Sequence, residues 1–154
     1  MLQRIQTVYL LLIAALMTAV FFFPLGIIFS DGQAYVWSVT GVREAFGEQA
    51  SVYSTWGFAL LAALIAVLAL VTVFLFKTRM RQIRLCVFNG CLMIGFYAFF
   101  LFFFFHVVKG QHPEAVLNIK FALALPLVSL VLDYLAIRNI GADETLIRSL
   151  NRLR

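Results

Sequence analysis

Four long apolar segments are the feature that most limits what this chain can fold into. They occupy approximately residues 7–29, 56–76, 85–108 and 116–140 of a chain of 154 residues. A helix of about 20 apolar residues is long enough to cross the hydrocarbon core of a bilayer. The sequence therefore predicts four transmembrane helices rather than a water-soluble domain.

The composition agrees with a membrane protein. Hydrophobic residues make up 64% of the chain and charged residues 12%, whereas soluble domains are about half apolar and about a quarter charged. The first segment is too long for a signal peptide and has no small-residue cleavage pattern after it, so we interpret it as a retained span. No basic stripe interleaved with aromatic residues indicates nucleic-acid binding.

The positions of lysine and arginine predict the orientation of the spans. Three basic residues, Arg43, Lys109 and Lys120, fall on one side of the membrane. The other nine fall on the opposite side, and they are Arg4, Lys77, Arg79, Arg81, Arg84, Arg138, Arg148, Arg152 and Arg154. Basic residues are enriched in cytoplasmic loops. Both termini are therefore predicted to be cytoplasmic, with the loop of residues 30–53 outside.

Short connections between consecutive spans favour an antiparallel four-helix bundle, and the predicted class is an all-α membrane protein. Residues 30–53 should form a small ordered cap, with tryptophans such as Trp37 in the headgroup layer. Gly141 is predicted to end the fourth helix. The tail of residues 141–154 should then form a short amphipathic helix on the cytoplasmic membrane surface.

Small residues at helical spacing predict faces where helix backbones approach each other closely in lipid. They are Ala59, Ala62, Ala63 and Ala66 in the second span and Gly90 and Gly95 in the third. Cys86 and Cys91 are five residues apart, which is not a metal-ligand spacing. We interpret both cysteines as small packing residues.

A polar cluster near the cytoplasmic side is the candidate site. Asp133 is the sole acidic residue inside a span, and charge at bilayer depth suggests function by default. Counted from Arg138, it should lie about 7–8 Å inside the membrane. Arg84 and Arg138 are its expected ion-pair partners, with Asn89 and Tyr9 in the same layer. A structural ion pair or hydrogen bond is the favoured interpretation, and a proton or ligand site is the alternative.

No pattern predicts catalysis, a metal site or a cofactor. His106 and His112 flank a single turn and lack the second pair that haem ligation would use. The chain contains no phosphate loop, nucleophile–base pair or zinc-protease motif. The phenylalanines of residues 96–105 are typical of lipid-facing and core packing, with a quinone or lipid pocket as the alternative.

Four stretches of the sequence resemble a known family. They are the opening MLQRIQTVYLLL, the basic hairpin RQIRLC, the span ALPLVSLVLDYLAIRNI and the closing DETLIRSLNRLR. Together they resemble small four-span inner-membrane proteins of Bacteroidota, catalogued as a domain of unknown function. The resemblance implies a bacterial inner membrane with a periplasm outside. It implies no activity, cofactor or catalytic residue.

Three functions are compatible with these features. The favoured one is a non-catalytic accessory or scaffold subunit that packs its small-residue faces and its outer loop against a larger membrane complex. The expected partners are the lipid bilayer and other membrane protein subunits or further copies of the chain. The second is a small carrier or channel that acts as an oligomer. The third is an enzyme or binding protein for lipid or quinone near the inner leaflet.

Overall fold

Helices account for most of the architecture. In a computed structural model of the chain, residues 2–30, 32–46, 51–75 and 78–152 are described. Their helices are α1 (Leu2–Ala19), α2 (Trp56–Phe74), α3 (Arg79–Phe102), the three-residue α4 (Lys109–Gln111) and α5 (Leu125–Arg152). A π-helical segment, Phe103–Val108, continues α3, and a 3-10 turn, Phe121–Ala124, leads into α5.

The described residues contain three helical stretches that are long and apolar enough to cross a membrane. They are Trp56–Phe74, Arg79–Val108 and Phe121–Asp143. In each stretch, only 33% to 39% of an apolar segment of 18 residues is buried inside the protein. The rest is exposed apolar surface of an extent that soluble monomers rarely present to water. The fold is thus compatible with a multi-pass membrane protein. Helix α1 carries a shorter apolar stretch, Ile5–Ala19.

The four long helices pack around a shared core. Helix α1 packs against α2 and α5, and α3 packs against the same two helices. Buried positions recur every three or four residues, as expected for helix faces that meet one another. Helix α3 contributes Gln82, Cys86, Asn89, Met93, Phe96 and Phe100 to this core.

A five-stranded antiparallel sheet, here named the cap sheet, lies at one end of the helices. It is formed by the segment between α1 and α2 and by the segment that leads from α4 to α5. Its strands are β1 (Gly26–Ser30), β2 (Gln33–Trp37), β3 (Gly41–Glu44), β4 (Ser51–Ser54) and β5 (Val116–Ile119), in the order β4-β3-β2-β1-β5. Strand β5 reaches the sheet from the connection between α3 and α5 and pairs with β1. A Cβ atom at Gly26 would lie 3.0 Å from Leu117 Cδ1, so a glycine permits this close pairing.

The cap sheet corrects two of the predicted spans and the all-α class. Helix α1 ends at Ala19, and the later part of the predicted span 7–29 is turn and strand β1. The predicted span 116–140 begins too early, because Val116–Ile119 is a strand and helical structure starts at Phe121. A short apolar segment such as that of β1 or β5 is compatible with a strand as well as with a helix, and sequence periodicity alone does not separate the two.

The predicted helix end at Gly141 is also wrong. Helix α5 continues through Gly141 to Arg152, because its buried stripe extends through Ile140 to Asp143 and keeps it packed. The side chains of Glu144 and of residues 146–154 lie outside the described part, so the amphipathic surface contact of the tail stays a prediction.

Candidate functional sites in the helix core and on the cap sheet

A cluster of polar side chains lies between α3 and α5. Its members, here named the Asp133 cluster, are Cys86 and Asn89 from α3 and Ser129 and Asp133 from α5. Asp133 is 2% exposed, Asn89 is 1% exposed and Ser129 is 0% exposed. Ser129 and Asp133 are four residues apart and therefore share one face of α5. Two packed helices thus bring small polar groups into the protein core.

Gly90 lets the carboxyl group of Asp133 approach the backbone of α3. A Cβ atom at Gly90 would lie 3.1 Å from Asp133 Oδ2, which is tighter than an ordinary van der Waals contact. The Cys86 thiol makes a side-chain hydrogen bond with the same carboxyl group. Asn89 directly precedes Gly90, so the Asn89 amide and the Asp133 carboxyl lie at the same level along the helices.

Most polar atoms of this cluster have no hydrogen-bond partner in the part of the chain that the structure describes. Among the described residues, no hydrogen bond reaches Oδ1 or Nδ2 of Asn89, Oγ of Ser129 or Oδ1 of Asp133. Leaving one buried polar group unpaired costs about 1–3 kcal/mol. Buried polar atoms are rarely left unpaired in folded proteins. Four such atoms in one part of the core indicate a site that serves more than packing.

The expected basic partners do not reach Asp133. Arg84 and Arg138 are both exposed, and within the described residues no ion pair joins either to Asp133. Tyr9 is half-buried and likewise makes no hydrogen bond to Asp133 in that part of the chain.

A second polar group lies at the end of the helices away from the cap sheet. Nε2 of Gln6 donates a hydrogen bond of 2.7 Å to Oδ2 of Asp143. The Arg79 guanidinium donates to the backbone oxygen of Asp143 at 3.3 Å, and Nε2 of Gln82 donates to the backbone oxygen of Thr72 at 3.4 Å. Sequence reasoning missed Asp143 because it was assigned to a separate tail. Asp143 lies three residues after the apolar Ile140, and this helical spacing could have indicated that it shares the buried face of α5.

Trp37 fastens the cap sheet to the helices. Its ring stacks on Phe100 with centroids 4.3 Å apart and meets Phe58 and Phe103 at 5.7 Å and 5.2 Å. Trp37 is 0% exposed, so it packs against the helices of the protein rather than against lipid. Its depth in the membrane stays a prediction. The side chains of β2 alternate between the two faces, and Trp37 identifies the face of the sheet that contacts the helices.

The opposite face of the cap sheet, here named the far face, is also apolar. Strand register places its residues opposite one another across β5, β1, β2 and β3. They are Val116, Asn118, Ile27, Phe29, Ala34, Val36 and Arg43. Two open grooves of about 360 Å³ and 300 Å³ run along this side, bordered by phenylalanines that include Phe22, Phe29 and Phe46. Phe46 is 87% exposed and Phe22 is 79% exposed.

The small residues predicted for packing fall in different environments. Ala62 and Ala66 are buried, Ala59 is half-buried and Ala63 is exposed. Gly95 has nothing within 4 Å of an added Cβ, unlike Gly90. A packing role for Ala63 therefore requires a second molecule, and the role of this stripe in assembly stays a prediction. Among the described residues, no group of His, Cys, Asp and Glu has the arrangement of a metal site.

These features define a class of protein: a helical protein suited to several membrane crossings, with buried polar residues among its helices and a cap sheet at one end. The chain matches the family described as Domain of unknown function (DUF4293) over residues 2–153 and belongs to that family. The resemblance to a domain of unknown function is thereby confirmed. No curated protein matches the chain.

Proposed function

We propose that this protein crosses the bacterial inner membrane four times, with both termini in the cytoplasm, and acts as a non-catalytic accessory subunit of a larger membrane complex. Helix α1 packs on both α2 and α5, so it belongs beside the three longer apolar stretches and serves as the fourth span. The basic residues concentrate at the end of the helices away from the cap sheet, which supports a cytoplasmic position for that end.

The observation that carries the accessory role is the apolar far face of the cap sheet. An antiparallel sheet with one solvated face normally alternates apolar and polar side chains. Here Ile27, Phe29 and Val36 share the face that points away from the helices. Extended apolar surface of this kind marks a contact with another protein.

The cap sheet is suited to docking because it is already ordered. Trp37 holds it against α2 and α3, so a partner need not order it on binding. The fitting partner is a membrane protein whose exposed part presents an apolar patch with an acidic group placed to meet Arg43, the exposed cation of the far face.

Capture of partners in mild detergent tests this role. A tagged protein should co-purify with one or a few defined membrane proteins at fixed ratio. The substitution Phe29→Glu should remove them, because it puts a charge into the apolar contact. Thr40→Glu, at an exposed position between β2 and β3, is the matched control and should retain them.

Two outcomes contradict the accessory role. One is a monomer that carries no other protein at any detergent concentration. The other is a homo-oligomer whose assembly is lost with Phe29→Glu, since the far face would then bind a second copy of the chain. Elution volume and melting temperature of Phe29→Glu, compared with Thr40→Glu, separate loss of docking from misfolding.

The second candidate function is a small oligomeric carrier or channel. The Asp133 cluster favours it, because unpaired polar groups inside a span often mark a route for ions or polar solutes. A lipid- or quinone-binding enzyme is the third alternative. Solute flux into liposomes that is abolished by Asp133→Asn and unaffected by Phe29→Glu would support the carrier over the accessory role.

A further inference from the structure

We propose that the Asp133 cluster is a binding site for one monovalent alkali cation, held by oxygen atoms of Asn89, Ser129 and Asp133. This site is independent of the docking role, since it lies between α3 and α5 rather than on the cap sheet. The argument rests on which atoms lack partners, on their charge and on their burial.

The unpartnered atoms include three oxygens of the kind that bind alkali cations. Within the described part of the chain, Oδ1 of Asp133, Oγ of Ser129 and Oδ1 of Asn89 accept no hydrogen bond. Carboxylate, hydroxyl and amide oxygens are hard ligands, which suit cations such as sodium rather than transition metals. The thiol of Cys86 is already engaged with Asp133, so it need not serve as a ligand.

The three oxygens come from two helices that are packed together. Ser129 and Asp133 lie one turn apart on α5, and Asn89 lies on the buried stripe of α3. The contact between Gly90 and Asp133 Oδ2 sets the two stripes at the same level. All three side chains are at most 2% exposed, so a bound cation would be shielded from bulk water.

Charge balance selects a monovalent ion. A cation that binds takes the place of the carboxyl proton, so Asp133 then contributes a single negative charge, and Asn89 and Ser129 are neutral. Arg84 and Arg138 are exposed, and neither forms an ion pair with Asp133 within the described residues. A monovalent cation makes the site neutral, whereas a divalent cation would leave a net positive charge in a low-dielectric interior, which is costly.

Sodium serves as the probe for the test. The full chain is purified in mild detergent, and its melting temperature is measured in sodium chloride and in choline chloride at equal ionic strength. A ligand that binds only the folded protein stabilises it according to its concentration. Each tenfold rise in sodium above the dissociation constant should add about 1.4 kcal/mol, which raises the melting temperature by about 3–6 °C. Binding of radioactive sodium should saturate near one ion per chain.

Three variants connect this effect to the cluster. Asp133→Asn and Ser129→Ala should each abolish sodium binding and the sodium-dependent rise in melting temperature. In choline chloride, Ser129→Ala should be as stable as the parent protein or more so, because it removes an unpaired buried hydroxyl. Cys91→Ala, at an exposed position of α3, should keep the full sodium response.

The proposal is overturned if the parent protein melts at the same temperature in both salts and binds no radioactive sodium. A carboxyl that serves only to hold a proton gives that result. Sodium binding that survives in both Asp133→Asn and Ser129→Ala also overturns it, because the ion would then lie elsewhere. An equal rise with calcium at matched ionic strength contradicts the selection by charge.

Discussion

Gln6 and Asp143 join the start of α1 to α5 through a buried hydrogen bond of 2.7 Å. The Arg79 guanidinium reaches the backbone oxygen of Asp143 from the first turn of α3. Three helices therefore meet at one acidic residue, at the end of the molecule opposite the cap sheet. The helices are fastened at both ends, by polar contacts here and by the aromatic contacts of Trp37 at the other.

Replacing Gln6 with leucine should destabilise the protein. Leucine has similar bulk but leaves Oδ2 of Asp143 without its donor, and an unpaired buried acceptor costs about 1–3 kcal/mol. The free energy of unfolding in a denaturant series measures the loss. Gln33→Ala, at an exposed position, is the control and should change stability little. A similar loss of unfolding free energy in both variants would mean that the hydrogen bond of Gln6 does not contribute measurably to stability.

Trp37 should tolerate phenylalanine far better than alanine. Its indole Nε1 has no partner among the described residues, so Trp37→Phe sacrifices packing area but no hydrogen bond. Trp37→Ala should cost about 3–5 kcal/mol through lost contacts and a cavity. Melting temperatures of the two variants measure the difference. Trp56→Ala, 67% exposed in the parent protein, should have a small effect, and a large one would contradict this ranking.

The sequence was sufficient to locate the middle helices. The predicted spans 56–76 and 85–108 overlap α2 and the helical stretch Arg79–Val108, because long uninterrupted apolar segments admit few other structures. The cap sheet was not predictable in the same way. Strand β5 pairs with β1 across about ninety residues of sequence, and no local pattern in Val116–Ile119 encodes that partner.

The candidate site was predictable in part. Asp133 and Asn89 attract attention because polar residues inside a span are costly. Ser129 was missed, since a single hydroxyl is common in membrane helices, although its spacing of four from Asp133 was visible. The expected ion pairs with Arg84 and Arg138 were wrong because a position in the sequence does not fix which side of a helix faces the core. Both arginines are exposed while Asp133 is buried.

Ala62 and Ala63 are neighbours that should respond differently to enlargement. Ala62 is 0% exposed, so Ala62→Leu should overpack the core at a cost of about 1–3 kcal/mol. Ala63 is exposed, and Ala63→Leu should leave the melting temperature of the isolated chain unchanged. A loss of assembly in Ala63→Leu without a loss of stability would show that Ala63 contacts another molecule. Equal destabilisation in both variants would contradict the assignment of buried and exposed faces.

Thiol labelling tests the proposed orientation. In a chain whose Cys86 and Cys91 are replaced by alanine, a cysteine at Thr40 in the cap sheet should react with an impermeant reagent added outside intact cells. A cysteine at Thr78, between α2 and α3, should react only after the membrane is opened. Both positions are exposed, so burial does not confound the comparison. The reverse pattern would place the cap sheet in the cytoplasm.

Gly90 and Gly95 form a matched pair on α3, because alanine adds the same methyl group at each. At Gly90 the added carbon would lie 3.1 Å from Asp133 Oδ2, whereas at Gly95 nothing lies within 4 Å. Alanine raises helix propensity by about 1 kcal/mol over glycine, so Gly95→Ala should be neutral or stabilising. Gly90→Ala should fall below Gly95→Ala in unfolding free energy, because the carboxyl group must move away from α3. Equal melting temperatures for the two variants would show that the Asp133 carboxyl group can move away from α3 without loss of stability. The close approach of Asp133 to α3 would then not be what stabilises the cluster.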